Sequence, residues 1–475
     1  MAPSNYSDTP EKHGDTPPIY KIDLSLPPAQ RYVELATIYR DQMRALTVLF
    51  DELVESTGLN ISAKWVRRFA WLFLRGVYSR EETEELRGMS RATGIDIYLL
   101  VSLNVVLDLL MGCTSGGARC RTTNPNDGGE GSKMLHFRTL DWGMDGLREL
   151  IVQLEFFRSP KTEDVLATSI TYVGYVGVLT GVRKNLSVSL NFRPNHNGSG
   201  LFSHLRFYGS HLLVLLGLRR SISSLLRQCI LPPRAPSQSW LYAWLWPLHR
   251  AHIHHTLDLS LLATMLPNTP TTSAYLTLSD GNTTTILEKD HRTAITHSSR
   301  SFIVATNHDI AADSAPPHSP SGFLRPVTGE LAGLSDLLQD SRERRACMQA
   351  FWDKKVELAN KRKGIIVPGR RDPLRRTQSS RPVGIIIPST ASPASASAET
   401  SSTTSHNHTQ PPTETNGAIP IEPEVTATES EIINVISTYP ITNETTHFAA
   451  VMDPREGKFV WVQRYTEPVD GPLWG

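Results

Sequence analysis

The stretch MGCTSGGARC, residues 111–120, lies where the character of the chain changes. Before it runs IYLLVSLNVVLDLL, residues 97–110, an apolar segment of helical length. After it, apolar residues alternate with polar ones or form short continuous runs, beginning with MLHFRTLDWG at residues 134–143. Because the side chains of a strand point alternately to its two faces, this spacing indicates β-structure. The sequence therefore predicts that helices give way to strands close to Cys113.

Further strand-like runs follow along the chain, and helical patterns interrupt them. The strand-like runs include LIVQLEFF, LSVSLNF, SAYLTLSD and SFIVATN, and helical spacing returns at residues 203–231 and 257–266. Upstream, helical spacing covers residues 29–55 and 79–93, with Gly94 as a stop signal. This order predicts a layered α+β architecture built on a mainly antiparallel sheet.

The composition restricts the class of protein. The chain has 475 residues, with 48 Lys and Arg against 47 Asp and Glu, so no global field attracts nucleic acid and no nucleic-acid partner is expected. No apolar run reaches the roughly 18 residues of a membrane span. The four cysteines are too scattered for the disulfide framework of a small secreted domain. A protein with a large core of its own is therefore expected.

Five segments are predicted from the composition. Residues 1–18 are polar and Pro-rich and are expected to be disordered, and residues 19–112 form a helical region. Residues 113–360 form the main domain, and residues 361–430 are a Ser/Thr/Pro/Ala-rich insertion that cannot bury enough apolar surface to offset its ordering entropy. Residues 431–475 complete the main domain as two strands joined by a turn at DPREGK.

Five stretches, in their order along the chain, resemble the acid ceramidase and N-acylethanolamine acid amidase family, which is choloylglycine hydrolase-like. They are PPIYKIDLSLPPAQRY, the GCTS that follows the apolar run, HFRTLDWG, GYVGVLTGVRKNLSVSLNFRP and VATNHD. The resemblance covers most of residues 18–355 and the final hairpin. It implies the αββα sandwich of an N-terminal-nucleophile (Ntn) hydrolase for the main domain, preceded by a helical small-subunit region.

The resemblance also implies that the chain cleaves itself between Gly112 and Cys113. The cysteine then becomes the N-terminus of a large subunit that stays associated with the small one. A newly exposed cysteine carries an α-amine with a reference pKa of about 7.7 to 8.0, close to that of a working general base. Gly112 has no side chain to obstruct attack of the Cys113 thiolate on its carbonyl group. Cys120 is the alternative nucleophile.

Matching the family motifs position by position assigns further site residues. Arg138 and Asp141, in HFRTLDWG, would favour the thiolate and accept a hydrogen bond from the new α-amine, respectively. Asn307, in VATNHD, would donate its amide N–H to the oxyanion of the tetrahedral intermediate.

Two positions match the family less directly. The distal catalytic arginine is assigned to Arg342 in DSRERRACM, with Arg344 and Arg345 close enough to be alternatives. Relatives carry an acidic residue after an asparagine near the end of the GVLTG block, where this chain has Phe192.

The resemblance implies hydrolysis of the amide bond of a lipid N-acyl substrate, with ceramide as the first choice and N-acylethanolamine as the runner-up. A related acyltransferase with a cysteine nucleophile and a non-catalytic lipid-binding protein are the alternatives. No cofactor is expected. The family implies an acidic lysosome-like or vacuolar compartment, whereas the lack of an apolar leader in the first residues favours the cytoplasm.

A stretch rich in aromatic and basic residues, SQSWLYAWLWPLHRAHIHH, occupies residues 237–255. Its tryptophans among leucines, beside basic groups, suit the interface of a bilayer, so transient contact with a membrane surface is expected, with packing on the sheet as the alternative. Its histidines could bind zinc fortuitously, yet no cysteine or carboxylate accompanies them at ligand spacing, and no metal site is predicted. These histidines are His249, His252, His254 and His255.

Overall fold

A computed structural model describes most of the chain. The described residues are 14–44, 46–48, 50, 63–106, 112–122, 131–158, 164–194, 196, 201–231, 257–311, 334–362 and 425–469. The predictions for residues 1–13, for the stretch at 237–255 and for residues 363–424 lie outside them. The chain divides into two compact units, Met1–Leu358 with Val425–Gly475, and Ala359–Glu424. The fold below is that of the first unit.

Helices dominate the described chain before Cys113. They are α1 Val33–Ile38, α2 Arg40–Arg44, α3 Ala63–Phe73, α4 Arg80–Thr93 and α5 Ile97–Val106. Helix α4 begins where the Ser79 side chain accepts a hydrogen bond from the N–H of Glu82. It ends at Gly94, whose φ of 76° lies in the left-handed region that favours glycine. The predicted helix at 79–93 and its stop are confirmed.

Later helices are α6 Leu201–Leu215, α7 Ile222–Ile230, α8 Leu259–Asn268, α9 Leu334–Arg362 and α10 Glu429–Ile436. Helix α10 corrects the prediction that the chain returns as two strands from residue 431. Thr428 and Glu431 form a capping box, in which each side chain accepts a hydrogen bond from the other residue's backbone. None of the described helices is long and apolar enough to cross a bilayer.

The strands form two sheets. The larger contains, in spatial order, β1 Ile19–Asp23, β4 Ile151–Phe157, β5 Ala167–Tyr172, β6 Thr180–Arg183, β7 Leu186–Phe192, β8 Ala274–Ser279, β9 Thr284–Lys289 and β10 Ala294–Ser299. The smaller contains β11 Phe302–Ala305, β2 Gly112–Arg121, β3 Ser132–Asp141, β12 Thr446–Asp453 and β13 Lys458–Arg464. Only β1 and β4 pair in parallel among these strands. The hairpin around DPREGK is confirmed.

Polar side chains join the two sheets where they face each other. The ring of His136, on β3, lies with its nitrogens 2.8 and 2.9 Å from the hydroxyls of Ser187 and Ser189, on β7. On β2, the strand next to β3, the hydroxyl of Ser115 donates to the side-chain oxygen of Asn191 at 2.9 Å. These side chains are buried, so their hydrogen bonds satisfy groups that would otherwise be costly to remove from water.

Apolar clusters cover the outer faces of both sheets. Met348 and Trp352 of α9 and Ile432 of α10 share one cluster with Phe137 of the smaller sheet. Leu100 of α5 and Leu226 of α7 share another with strands of the larger sheet. The order of layers is therefore helix, sheet, sheet, helix, which confirms the predicted α+β class.

Two glycines let β2 run between crowded neighbours. The prediction places strands after Cys113, whereas β2 already begins at Gly112. A Cβ atom on Gly117 would collide with Thr284 of the facing sheet, and one on Gly116 would collide with the carbonyl of Ile303 on the neighbouring strand. A continuous strand of larger residues could not occupy this position.

A buried ionic cluster connects the region before Cys113 to the region after it. The carboxylate of Glu85, on α4, accepts hydrogen bonds from both terminal nitrogens of Arg227, on α7, at 2.5 and 2.7 Å. It also accepts one from Arg31 at 2.8 Å. Because a buried charge without a partner is strongly unfavourable, these groups bind the two regions together.

Candidate active site

Cys113 is the second residue of β2 and is fully buried. Its backbone N–H donates to the side-chain oxygen of Asn307 at 2.8 Å, and its Sγ lies 3.8 Å from the carbonyl oxygen of Leu190. Burial raises the pKa of the thiol, while the nearby Arg138 guanidinium opposes that rise. The balance favours the thiol form of the sulfur.

Asn307 follows β11 and is oriented by its neighbours. Its Oδ1 accepts a hydrogen bond from Arg344 at 3.1 Å as well as the one from Cys113. A guanidinium can only donate, so the atom that faces both partners must be the amide oxygen. The Nδ2 group donates to the carbonyl oxygen of Phe192 at 2.9 Å. The sequence assigned the amide N–H of Asn307 to an oxyanion, whereas here its oxygen holds the backbone nitrogen of Cys113.

Asp141 is the last residue of β3 and lies opposite Gly112 in the sheet register. Its Oδ2 is 3.2 Å from Arg344, and its Oδ1 accepts a hydrogen bond from Thr446 at 2.8 Å. Burial raises the pKa of the Asp141 carboxyl, and the positive charge of Arg344 opposes that rise. Asp141 thus orients Arg344, which in turn orients Asn307.

Arg138 lies on the face of β3 that meets the larger sheet. Its two terminal nitrogens donate to the Oδ1 of Asn191 at 2.6 Å and to the carbonyl oxygen of Leu190 at 2.7 Å. Its Nε is buried and has no hydrogen-bond partner among the described residues. The guanidinium is therefore fixed beside the Cys113 thiol, and its Nε–H is the donor that has no partner among the described residues.

Of the arginines that the sequence offers for the distal position, the structure brings Arg344 into this cluster and leaves Arg342 outside it. Both residues lie on α9, but Arg344 is fully buried whereas Arg342 is exposed. Residues two positions apart in a helix point about 200° away from each other. Only one of them can therefore face β2, where Arg344 also donates to the hydroxyl of Thr114 at 3.0 Å.

Cys120, the alternative nucleophile, lies outside this cluster. Seven positions separate it from Cys113, so the alternation of β2 puts the two side chains on opposite faces. The thiol of Cys120 packs in the apolar cluster beneath α9 and α10. Burial raises its pKa to about 12.

An aromatic wall flanks the cluster on the other side. The hydroxyl of Tyr172 lies 2.8 Å from Nδ1 of His447, and the ring of Trp142 packs against both at 6.4 Å. Burial raises the pKa of Tyr172, and the neighbouring Cys113 raises it further. Burial and the positive charge of Arg148 lower the pKa of His447 to about 3, so both polar rings are neutral beside the thiol.

Sequence reasoning missed Asn191, Thr114 and Thr446. One signal was available for Asn191, because Ser187, Ser189 and Asn191 alternate with apolar residues within a buried strand. Such a polar face in a buried strand requires hydrogen-bonding partners across the sheet interface. Thr114 and Thr446 carry no comparable signal, because threonine is common in strands.

Among the described residues no group of three or more His, Cys, Asp and Glu side chains could hold a metal ion. The histidines at 249–255 lie outside those residues. The cluster around Cys113 itself offers a thiol, an amide, a carboxylate and guanidinium groups.

Comparison with known proteins finds similarity to N-acylethanolamine-hydrolyzing acid amidase and to acid ceramidases. The model of the beta subunit of N-acylethanolamine-hydrolyzing acid amidase matches residues 15–78, upstream of Cys113. Acid ceramidase of Rattus norvegicus is 30% identical over 199 residues, which cover 39% of this chain and 48% of that protein. Acid ceramidase of Homo sapiens is 27% identical over 216 residues, covering 42% of this chain and 51% of that protein. The chain thus spans about half the length of these curated relatives.

A solved structure is also similar. The N-acylethanolamine-hydrolyzing acid amidase ortholog of Caenorhabditis elegans matches with 16% identity and a TM-score of 0.37, covering 72% of this chain and 93% of that one. The sequence matches confirm the predicted resemblance.

Proposed function

We propose that this chain, which is similar to acid ceramidases and to N-acylethanolamine-hydrolyzing acid amidase, hydrolyses the amide bond of a lipid N-acyl substrate with Cys113 as nucleophile. Ceramide is the first substrate proposed, giving sphingosine and a fatty acid, and N-acylethanolamine is the second. The observation that carries the proposal is the hydrogen bond from the Cys113 backbone nitrogen to Asn307, whose oxygen Arg344 also holds.

Self-cleavage is the first proposed step. The Cys113 sulfur attacks the carbonyl carbon of Gly112, the C–N bond between the two residues breaks, and its nitrogen takes up a proton. Water then hydrolyses the resulting thioester, which leaves a carboxyl group on Gly112 and an α-amine on Cys113. The space around the Gly112 Cα is limited by Asp141, whose Cβ would lie 3.3 Å from an added side chain. Glycine therefore suits the cleavage site.

Amide hydrolysis uses the new α-amine as general base. The amine is already held by Asn307, since the nitrogen that becomes the amine is the one that donates to Oδ1 at 2.8 Å. It takes the thiol proton as sulfur attacks the substrate carbonyl, and it returns that proton to the leaving amine. Water then attacks the acyl thioester and releases the fatty acid. The unsatisfied Nε–H of Arg138 is the proposed donor to the developing oxyanion.

The ionic cluster of Glu85 supports a product of two associated subunits. Cleavage after Gly112 would leave α4 on the small subunit and α7 on the large one. The two hydrogen bonds between Glu85 and Arg227 would then cross the subunit interface. We propose that these buried contacts hold the cleaved halves together.

Contact with a lipid surface is proposed at α3. Trp65, Phe69 and Leu72 follow a helical spacing of four and three residues and are 68%, 43% and 58% exposed. Lys64 and Arg68 accompany them on the same helix. Exposed aromatic and aliphatic groups beside cations suit the interface of an anionic bilayer, where the substrates of such an enzyme reside.

The decisive experiment combines processing with activity. Purified wild-type protein should yield a fragment whose N-terminal sequence starts at Cys113 and should hydrolyse ceramide or N-acylethanolamine. Cys113→Ala should abolish both cleavage and hydrolysis, while Cys120→Ala should retain both.

An active Cys113→Ala variant with an inactive Cys120→Ala variant would reverse the assignment. An uncut, inactive wild-type protein would favour the lipid-binding alternative, and transfer of the acyl group to an added amine or alcohol instead of water would favour an acyltransferase.

A further inference from the structure

Ser341 is a fully buried serine of α9 that takes no part in the reaction described above. It lies three positions before Arg344, and residues three apart in a helix are neighbours on the same face. Arg344 holds the side-chain oxygen of Asn307 at 3.1 Å. The same face of α9 therefore brings the Ser341 hydroxyl to the segment after β11 that carries Asn307.

The hydroxyl of Ser341 contacts three consecutive residues of that segment. It accepts a hydrogen bond from the backbone N–H of Asn307 at 2.7 Å. It donates to the hydroxyl of Thr306 at 2.9 Å, and Nδ1 of His308 lies 2.7 Å from it. These four residues are at most 3% exposed. Loss of the hydroxyl would therefore remove the acceptor of the Asn307 N–H at a place where solvent has no access.

Asn307 is held at three points, and two of them come from α9. Ser341 binds its backbone nitrogen and Arg344 binds its side-chain oxygen, while its Nδ2 donates to the carbonyl oxygen of Phe192 at 2.9 Å. The backbone contact limits where the Cα atom lies, and the side-chain contacts set the direction of the amide. Together they keep Oδ1 at 2.8 Å from the backbone nitrogen of Cys113.

The same segment is also anchored without the help of α9. The carboxylate of Asp309 accepts two hydrogen bonds from Arg193, which follows β7, each at 2.8 Å. It accepts a third, also at 2.8 Å, from the hydroxyl of Tyr275 on β8. Because these contacts do not involve Ser341, the segment should stay in place when that hydroxyl is removed. The change would then be confined to the alignment of Asn307.

We propose that Ser341 is a positioning residue of the hydrolase, whose hydroxyl holds the backbone of Asn307 so that Oδ1 stays aligned on the nitrogen of Cys113. This inference rests on the proposed function, in which that nitrogen becomes the α-amine. The amine must direct its lone pair at the thiol proton and then at the leaving group, so its orientation affects the chemical steps. Orientation of the base does not contribute to substrate affinity. Loss of the hydroxyl should therefore lower kcat and leave KM unchanged.

The first measurement is the kinetics of processed wild-type and Ser341→Ala proteins on N-lauroylsphingosine and N-lauroylethanolamine. We expect Ser341→Ala to lower kcat about tenfold and to change KM by less than about twofold. Ser187→Ala is the matched control. Ser187 is also fully buried and lies 2.8 Å from a histidine nitrogen, that of His136, but it stands at the opposite end of β7 from Phe192. Its removal should leave kcat unchanged.

The second measurement repeats the substitution in an Asn307→Ala background. If Ser341 acts through Asn307, removing its hydroxyl from that background should change kcat by less than about twofold. An equal, roughly tenfold fall in both backgrounds would show that the hydroxyl acts independently of Asn307 and would overturn the inference. A rise in KM alone would overturn it too, because Ser341 would then act on substrate binding.

A further variant keeps the test decisive if Ser341→Ala does not fold. Ser341→Cys fills the same space, but its sulfur is a weak hydrogen-bond acceptor, so the same fall in kcat is expected. An active wild type whose kcat is not lowered by a folded Ala or Cys variant would overturn this inference alone. A wild type that hydrolyses neither amide would overturn the proposed function, and this inference with it.

Discussion

The side-chain oxygen of Asn307 lies 2.8 Å from the backbone nitrogen of Cys113, although 194 positions separate the two residues in the chain. A backbone N–H in the interior of an ordinary strand would donate to a neighbouring strand instead. This nitrogen is instead held by a side chain whose own orientation depends on Arg344. The arrangement suits a nitrogen that would become an amine in the proposed self-cleavage.

Replacing Asn307 with alanine should reduce turnover more than self-cleavage. The processed amine would lose the acceptor that aligns it, and loss of a hydrogen bond to a group that becomes charged corresponds to roughly a 10- to 100-fold fall in kcat/KM. Kinetics on the processed protein and electrophoresis of the chain measure the two effects. Asn268→Ala, on the exposed end of α8, is the control. A rise in KM alone would make Asn307 a substrate-binding residue.

Arg344→Ala and Arg342→Ala form a matched pair on one helix. Removing Arg344 leaves the buried Asp141 without its cation, which should cost about 3 to 5 kcal/mol of folding free energy and abolish activity. Removing the exposed Arg342 should change stability by less than about 0.5 kcal/mol and leave activity unchanged. Denaturant unfolding and kinetics of both variants test this difference, and equal effects would contradict it.

The deficit of the Arg344→Ala variant should also depend on pH. Burial already raises the pKa of Asp141, and Arg344 is the main group that opposes the rise. Without Arg344 the carboxyl takes up a proton more readily as pH falls, and a neutral carboxyl needs no cation. The stability of the variant relative to wild type should therefore be lowest near neutral pH and recover towards acidic pH. Melting temperatures of both proteins across that range measure it, and a constant difference would show that Asp141 is not the cause.

Glu85→Gln should weaken the association of the two halves. The change leaves Arg31 and Arg227 buried without a full counter-charge, so we expect a loss of about 3 kcal/mol or more in the free energy of unfolding. Glu84→Gln is the control, because its pair with Arg87 is partly exposed and contributes little. Size-exclusion chromatography of the processed protein reports whether the subunits separate. If the two subunits stay associated and the free energy of unfolding is unchanged, the Glu85 cluster does not hold them together.

Gly117→Ala should destabilise the fold through contact between the sheets. A Cβ atom there would collide with Thr284 and reach within 2.9 Å of Met134, and overpacking of this kind typically costs about 1 to 3 kcal/mol. Gly143→Ala is the control, because no atom lies within 4 Å of its added Cβ. Thermal unfolding of both variants measures the difference. Similar melting temperatures would show that the fold accommodates the added methyl group without losing stability.

The sequence by itself determined the elements whose signals are local. Helix α4 has its cap at Ser79 and its stop at Gly94, and the hairpin of β12 and β13 has its turn residues between two apolar runs. Each signal lies within a few residues of the element it controls, so the free energy that decides it is local. The capping box of α10 is equally local, although the sequence predicts strands from residue 431 onwards.

Only the tertiary structure decided which polar groups meet. The choice of Arg344 over Arg342 depends on the rotation of α9 about its axis, which is set by the packing of Met348 and Trp352 on the smaller sheet. The meeting of Cys113 with Asn307 depends on the antiparallel register of β11 against β2. A shift of one residue in a strand turns every side chain to the other face. Helix rotation and strand register are fixed by burial of whole apolar faces, and no short stretch of sequence contains that information.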